Sequence, residues 1–214
     1  MELLRTSATV LDAYRLWLEP DQEWMTEDDL LATIRGEVVP SRQMALGGAF
    51  HRILETPDAY RVKGGYVCGD FSFSEEQLRS VFDRYDRRGV GEVKATIELD
   101  GCALVAQADL LHGSTLAEFK TTSSYSFDPE KYMASHQWRV MSLVFQPQAI
   151  TYHIASVDDH ENGVVEIRWV ESFTVYPYPA LKDDVRALLA SFKSYVTSKG
   201  LDEFLRERQR TAAA

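Results

Sequence analysis

Residues 92–120 read EVKATIELDGCALVAQADLLHGSTLAEFK, and this run decides the fold. In its first third, Val93, Ala95, Ile97 and Leu99 alternate with Glu92, Lys94, Thr96 and Glu98. An alternation of period two marks a half-buried strand. Asp100-Gly101 then supplies the residue pair that a tight hairpin turn favours. The return strand, Cys102 to Leu111, is almost wholly apolar but carries Asp109 near its end. His112-Gly113-Ser114 turns the chain again, and a third strand runs from Thr115 to Thr121. The run is a three-stranded meander.

The flanks of the meander are helical. Upstream, Ser7 to Leu18 and Thr26 to Ile34 read as helices, with Ser7 and Thr26 as N-caps and Pro20 closing the first. A third helix spans Ser41 to Glu55 and stops before Pro57. After a polar stretch of loop or short strands, Ser74-Glu-Glu-Gln77 has a capping-box pattern and opens a helix to about Arg87. Downstream, a helix is expected from about Pro129 to Phe145, then strands Ala149 to Ser156 and Val164 to Val175. A last helix begins near Pro179, with Leu181, Val185, Leu188, Leu189, Phe192 and Val196 at helical spacing. The expectation is a single α/β domain over 1–214 with a mixed central sheet flanked by helices. Its core covers about 40–175, with N-terminal helices over 7–35 and a C-terminal helix over about 179–208.

Composition narrows the class. The chain has 214 residues, 45% of them hydrophobic and 26% charged, which suits an ordinary globular protein. No apolar run approaches the roughly 20 residues that span a bilayer, and the first 20 residues have no signal-peptide pattern. The two cysteines, Cys68 and Cys102, make neither a disulfide framework nor a four-cysteine metal site. These features imply a cytoplasmic protein without a membrane partner. The net charge of −10 argues against non-specific coating of nucleic acid. It leaves a nuclease open, because active-site carboxylates are neutralised when metal binds. Arg84, Arg87 and Arg88, and later Arg206, Arg208 and Arg210, form local basic clusters that read first as solvated helix faces.

The chemistry-bearing residues gather in and around the meander. On a strand, Glu118 and Lys120 point to one face and Phe119 to the other. A carboxylate there can hold a hard cation such as Mg²⁺, and an ammonium beside it can stabilise charge in a transition state. Glu92-Val93-Lys94 has the same pattern but reads as the polar side of an exposed strand. Asp109, at the end of a buried strand, needs a partner or a metal. Across the hairpin it can share one cation with Glu118. His51 lies on a helix face with Met44, Gly47 and Leu54. Gly47 and Gly48 each cost that helix about 1 kcal/mol relative to Ala, which close approach to the sheet would offset. Glu55, one turn on, has two readings: a helix-end charge, or a ligating or supporting residue beside the metal. Gln137 interrupts the apolar stripe Met133, Val140, Met141 and Val144, and its amide wants a hydrogen-bond partner.

Gly47-x-x-x-His51 on a helix, Asp109 at a strand end, Glu118-x-Lys120 on the next strand and Gln137 on the following helix together resemble the PD-(D/E)XK nuclease superfamily. More narrowly they look like its RecB-type and phage-exonuclease branch. The opening Ser7-Ala-Thr-Val-Leu-Asp-Ala-Tyr14 is similar to the helix that often begins such domains. The resemblance covers roughly residues 7–175. It implies a restriction-endonuclease-like core and a Mg²⁺- or Mn²⁺-dependent deoxyribonuclease, an exonuclease in recombination, repair or phage DNA processing. Metal ligands would be His51, Asp109, Glu118 and the Phe119 carbonyl. Asp109, Glu118 and Lys120 would be catalytic and Gln137 would bind substrate. DNA is the implied partner, with a recombinase, single-strand-binding or helicase protein, or further copies of the chain, as possible associates. Met141 stands where the family's Gln-x-x-x-Tyr motif has tyrosine, and the cysteines that would hold an iron–sulfur cluster are absent. The alternative reading is a catalytically silent DNA- or protein-binding subunit of a recombination or defence complex on the same fold.

Overall fold

The computed structural model describes residues 3–20, 25–85, 88–160 and 162–213, the last six of these by their helical course alone. In chain order the elements are β1 (Leu4–Ser7), α1 (Ala8–Leu18), α2 (Glu27–Arg35), α3 (Arg42–Glu55), α4 (Pro57–Tyr60), β2 (Arg61–Val62), β3 (Gly65–Cys68), β4 (Phe71–Ser74) and α5 (Glu75–Phe82). Then come β5 (Val90–Leu99), β6 (Cys102–His112), β7 (Thr115–Thr122), α6 (Glu130–Met133), α7 (Gln137–Phe145), β8 (Ala149–Asp159), β9 (Val164–Val175), α8 (Leu181–Ser198) and α9 (Asp202–Ala213). Arg87 and the side chains of Arg208 and Arg210 lie outside the described residues.

Among the described residues the strands form one nine-stranded mixed sheet in the order β1-β6-β7-β8-β9-β4-β3-β2, with β5 on the other edge of β6. The expected α/β architecture, a mixed central sheet flanked by helices, is what the chain adopts. The meander appears as antiparallel β5–β6 and β6–β7, and β8 and β9 pair antiparallel. Two parallel pairings, β1 on β6 and β7 on β8, join segments distant in sequence. On one face a core of Leu11, Tyr14, Leu104, Val140, Tyr152, Ile154 and Phe192 packs under α1, α7 and α8. On the other, Phe50, Ile53, Leu54, Phe73, Leu78 and Phe119 pack under α3 and α5. Each fully buried Leu, Ile or Phe contributes roughly 1.5–3 kcal/mol.

The caps behave as their side chains dictate. Ser7, Ser41 and Ser74 accept the N–H of Val10, Met44 and Gln77, and Thr26 with Asp29 makes a reciprocal capping box. Three helices differ from expectation. The helix opened by Ser74 ends at Phe82 rather than near Arg87. The helix expected from Pro129 to Phe145 is two, broken at 134–136. There, side chains replace helical acceptors: Ser135 Oγ takes the Gln137 N–H at 3.0 Å and Asp12 takes the His136 N–H at 2.6 Å. Trp138 Nε1 and Arg139 Nη1 then donate to the freed carbonyls of Met133 and Ala134. The C-terminal helix expected to about 208 is also two. Gly200, at φ +66°, closes α8 with the paired bonds Leu201 N–H to Val196 O and Gly200 N–H to Thr197 O, a Schellman motif. No helix among the described residues is long and apolar enough to cross a membrane.

Candidate active site

The site lies where β6 parts from β7. Their ladder runs over His112↔Thr115, Leu111↔Leu116 and Leu110↔Ala117, and stops. The first half of β6 pairs instead with β1. At the first open rung, side chains take over the ladder's work. The Asp109 N–H donates to Glu118 Oε1 at 3.2 Å, and the Phe119 N–H donates to Asp109 Oδ2 at 2.7 Å. Each carboxylate is thereby pinned to the other's strand. Lys120 Nζ lies 3.1 Å from Glu118 Oε2, so both Glu118 oxygens have partners. His51 Nδ1, on α3, lies 3.6 Å from Asp109 Oδ1. The backbone of Phe119 also hydrogen-bonds the imidazole, bringing the Phe119 carbonyl to the same spot. Gly47 explains the approach of α3: a Cβ there would stand 3.2 Å from Thr121 Oγ1 on β7.

Electrostatics mark these groups as strained by one another. Burial, reinforced by Asp109, lifts the Glu118 carboxyl to about 7 against the pull of Lys120. Burial lifts Asp109 to about 6. Burial works against the Lys120 ammonium, but Glu118 and Asp109 outweigh it and hold its pKa above the ordinary lysine value. Burial and Lys120 hold His51 below the usual histidine range, which leaves a neutral imidazole with a lone pair to offer.

Glu55 joins them from the end of α3. Burial and the neighbouring Glu92 raise its carboxyl to about 7. One ligand atom each of His51, Glu55 and Glu92 lie within 4.8 Å of one another. Glu92 is the residue that reasoning from sequence set aside. It stands on β5 opposite Asp109, between the pairs Gly91↔Leu110 and Val93↔Ala108. At φ +52° its backbone is left-handed, a conformation costing a non-glycine residue about 1–2 kcal/mol. Its carboxylate accepts a hydrogen bond from Gln107 Nε2 on β6 and also comes within reach of His51 and Glu55 of α3. The Gly89-x-Gly91 spacing at the start of the strand was the available signal.

Gln137, the first residue of α7, reaches the site. With Lys94, Gln107, Asp109, Glu118 and Lys120 it lines a cavity of about 580 Å³ that extends to the start of α1. Met141 is fully buried in the core and does not reach that cavity. A tyrosine outside that cavity comes near Lys120 and lines a separate small one. Tyr132 of α6 hydrogen-bonds Thr122 and feels the charge of Lys120, and its ring packs on Tyr152, the β8 neighbour of Glu118.

No protein-family model matches the sequence, and no curated protein matches it. Solved structures do. A putative exonuclease from Eubacterium rectale is similar at 11% identity and a TM-score of 0.50, over 93% of this chain and 82% of that one. An alkaline exonuclease from Laribacter hongkongensis is similar at 13% identity and a TM-score of 0.50, over 99% of this chain and 95% of that one. At these identities the shared property is the fold, a large mixed sheet flanked by helices.

Proposed function

We propose that the chain is a divalent-metal-dependent DNA nuclease of the PD-(D/E)XK type, RecB-like in its histidine, and acts as an exonuclease. The observation that carries this reading is the open rung of β6–β7. Two carboxylates are locked there by each other's strand amides, with a lysine on one and a neutral histidine on the other.

The donor set fits a divalent cation. Asp109, Glu118 and Glu55 all have raised pKa values, so the cluster holds more negative charge than Lys120 offsets. A cation of charge two relieves that imbalance, and oxygen donors with one imidazole suit Mg²⁺ or Mn²⁺. His51, Asp109, Glu118 and the Phe119 carbonyl would hold it, with Glu92 and Glu55 adjoining. When bound it supplies Lewis acidity toward the scissile phosphate and the attacking water.

The chain's own groups do the rest. The Lys120 ammonium, held by Glu118 at the cavity wall, orients the water and offsets charge developing on the phosphate. Gln137 presents its amide to the DNA backbone from the opposite wall. The strand amides hold the Asp109 and Glu118 carboxylates in place across the open rung. The test is cleavage of end-labelled linear and closed circular DNA with Mg²⁺, Mn²⁺ or EDTA, for wild type and Lys120→Ala. Metal-dependent loss of linear DNA alone, abolished in the variant, is the expected result. Absence of cleavage on every substrate would favour a non-cleaving DNA-binding subunit.

A further inference from the structure

β5 is an outer strand of the sheet. Its inner edge pairs with β6 from Val90 to Leu99, and among the described residues no strand pairs with its outer edge. An edge of that length is a ready template, because its bare N–H and C=O groups can pair with another strand. Proteins blunt such edges with bulges, prolines or lysines. In β5 the one backbone irregularity sits near the start, at Glu92 with φ +52°. The Asp100-Gly101 turn closes the other end. Between them, residues 93–99 keep an unbroken register with β6 and contain no proline. The middle of that span is Thr96.

The two faces of the span differ. Lys94, Thr96 and Glu98 share one face and are exposed. Val93, Ala95, Ile97 and Leu99 share the other, where Ile97 and Leu99 reach the core. Leu99 is buried there, but Ile97 is only half-buried although it packs against the same core. The apolar layer is therefore open at the rim. Neither Lys94 nor Glu98 makes an ion pair among the described residues.

The charges select a second copy of the chain as the occupant. With two β5 strands antiparallel about a two-fold axis at Thr96, Lys94 of each copy stands opposite Glu98 of the other. On the core face Ala95 stands opposite Ile97, and Val93 opposite Leu99, so the rim is covered and all of 93–99 is used. Opposite charges and aliphatic pairs facing each other across strands stabilise a sheet, and like charges facing each other destabilise it. Other registers lose these matches. An axis at Ala95 sets Glu92 against Glu98. An axis at Ile97 sets Lys94 against Asp100, which Arg186 already holds, and leaves Val93 opposite the turn. A slip that pairs odd positions with even ones puts apolar side chains on the exposed face. Self-complementarity about a two-fold axis is what a closed dimer requires.

We propose that two copies of the chain pair edge to edge through β5, antiparallel about Thr96, so that one sheet continues from protomer to protomer. Lys94 also lines the catalytic cavity, so the two cavities would flank the seam on one face of the joined sheet. The pairing does not depend on the nuclease reading, and its test involves no cleavage. Sedimentation equilibrium of the full chain in EDTA would compare wild type, Lys94→Glu, Glu98→Lys and the double variant, with thermal melting to check that each folds. Wild type should sediment at twice 24.3 kDa. Each single reversal sets like charges opposite at both ends of the seam and should weaken the dimer by at least about tenfold. The double variant restores both pairs with their signs exchanged and should dimerise within about threefold of wild type. Raised salt should weaken the wild-type dimer and strengthen those of the single variants. A wild type still monomeric at about 0.1 mM, a concentration that reveals even a weak dimer, would leave the edge to another protein's strand and overturn the proposal. An oligomer that the single reversals leave intact, or that the double variant does not restore, overturns it as well.

Discussion

Glu92-Val93-Lys94 and Glu118-Phe119-Lys120 are the same pattern on two strands that flank one strand, β6, at the height of one aspartate. They come out differently. On β7 the alternation of a strand holds: Glu118 and Lys120 line one cavity and meet at 3.1 Å. On β5 the positive φ of Glu92 breaks it. Glu92 reaches Glu55 and the cavity beneath α4 while its carboxylate still accepts from Gln107 Nε2, whereas Lys94 lines only the wall shared with Gln107 and Lys120. Burial separates them too, since Glu118 is 1% exposed and Glu92 half-exposed. A Glu-x-Lys pair can act as a unit only where the backbone keeps both residues on one face. Asp109 thus receives a carboxylate from each side but a carboxylate–lysine pair from only one.

The sharpest way to break this comparison is to remove each lysine. Lys120→Ala should lower the cleavage rate at saturating metal by about a hundred- to a thousandfold, the cost of losing one preorganised charge at a transition state. Lys94→Ala removes an exposed cation from the same wall and should cost less than about tenfold, mostly as weaker DNA binding at raised salt. Equal losses would mean that both triplets serve the chemistry and that the turn at Glu92 is immaterial.

The glutamates sharpen the contrast by a different measurement. Glu92→Gln keeps the size of the side chain and removes its charge. Isothermal titration with Mn²⁺ should show metal affinity reduced by about ten- to a hundredfold, as for groups that support a metal's ligands. An affinity unchanged in Glu92→Gln would return Glu92 to the role of a surface charge.

The two triplets also show how far the site was legible. That Asp109, Glu118, Lys120 and His51 would lie close together was readable, because strand alternation, a hairpin turn and helical spacing are local rules. The meander and the strands β8 and β9 followed from the same rules. Glu92 was not readable, because its side chain is aimed by a left-handed backbone that no propensity assigns to glutamate. The break before Gln137 was hidden for another reason: it depends on Asp12, more than a hundred residues earlier, accepting the His136 N–H. Tyr132 was missed because that break is what swings α6 toward Thr122. The pairing of β1 with β6 is likewise a tertiary fact, since four residues of strand carry too little periodicity to stand out.

A pH series tests whether the two sides share one cation. Asp109 is raised to about 6 and Glu118 and Glu55 to about 7 in the fold. Their contribution to stability is therefore full below the ordinary carboxylate range and is lost as pH rises through 6 to 7. His136 and His153, pushed down to about 4 by burial, slope the other way below about 6.5. Comparing Mg²⁺ with EDTA at each pH cancels the histidines. The rise in melting temperature on adding Mg²⁺ should be small near pH 5.5 and reach several degrees near pH 8, because binding must displace protons only at the lower pH. A metal-induced rise independent of pH would place the cation away from these carboxylates.

The smallest effect is the most specific to Glu92. Glycine adopts a positive φ without penalty, so Glu92→Gly should relieve the strained backbone and the carboxylate crowding at once. The metal-free protein should gain about 1 kcal/mol in urea unfolding at neutral pH, while Mn²⁺ affinity falls as it does in Glu92→Gln. Alanine provides the control: Glu92→Ala removes the carboxylate but keeps the Cβ in the left-handed conformation, so it should gain less than glycine by most of that difference. Stability and metal affinity moving in opposite directions at one residue is what strain retained for a ligand position requires. A glycine variant no more stable than the alanine variant would show that the left-handed turn at Glu92 stores nothing, and the asymmetry between the two triplets would then rest on burial alone.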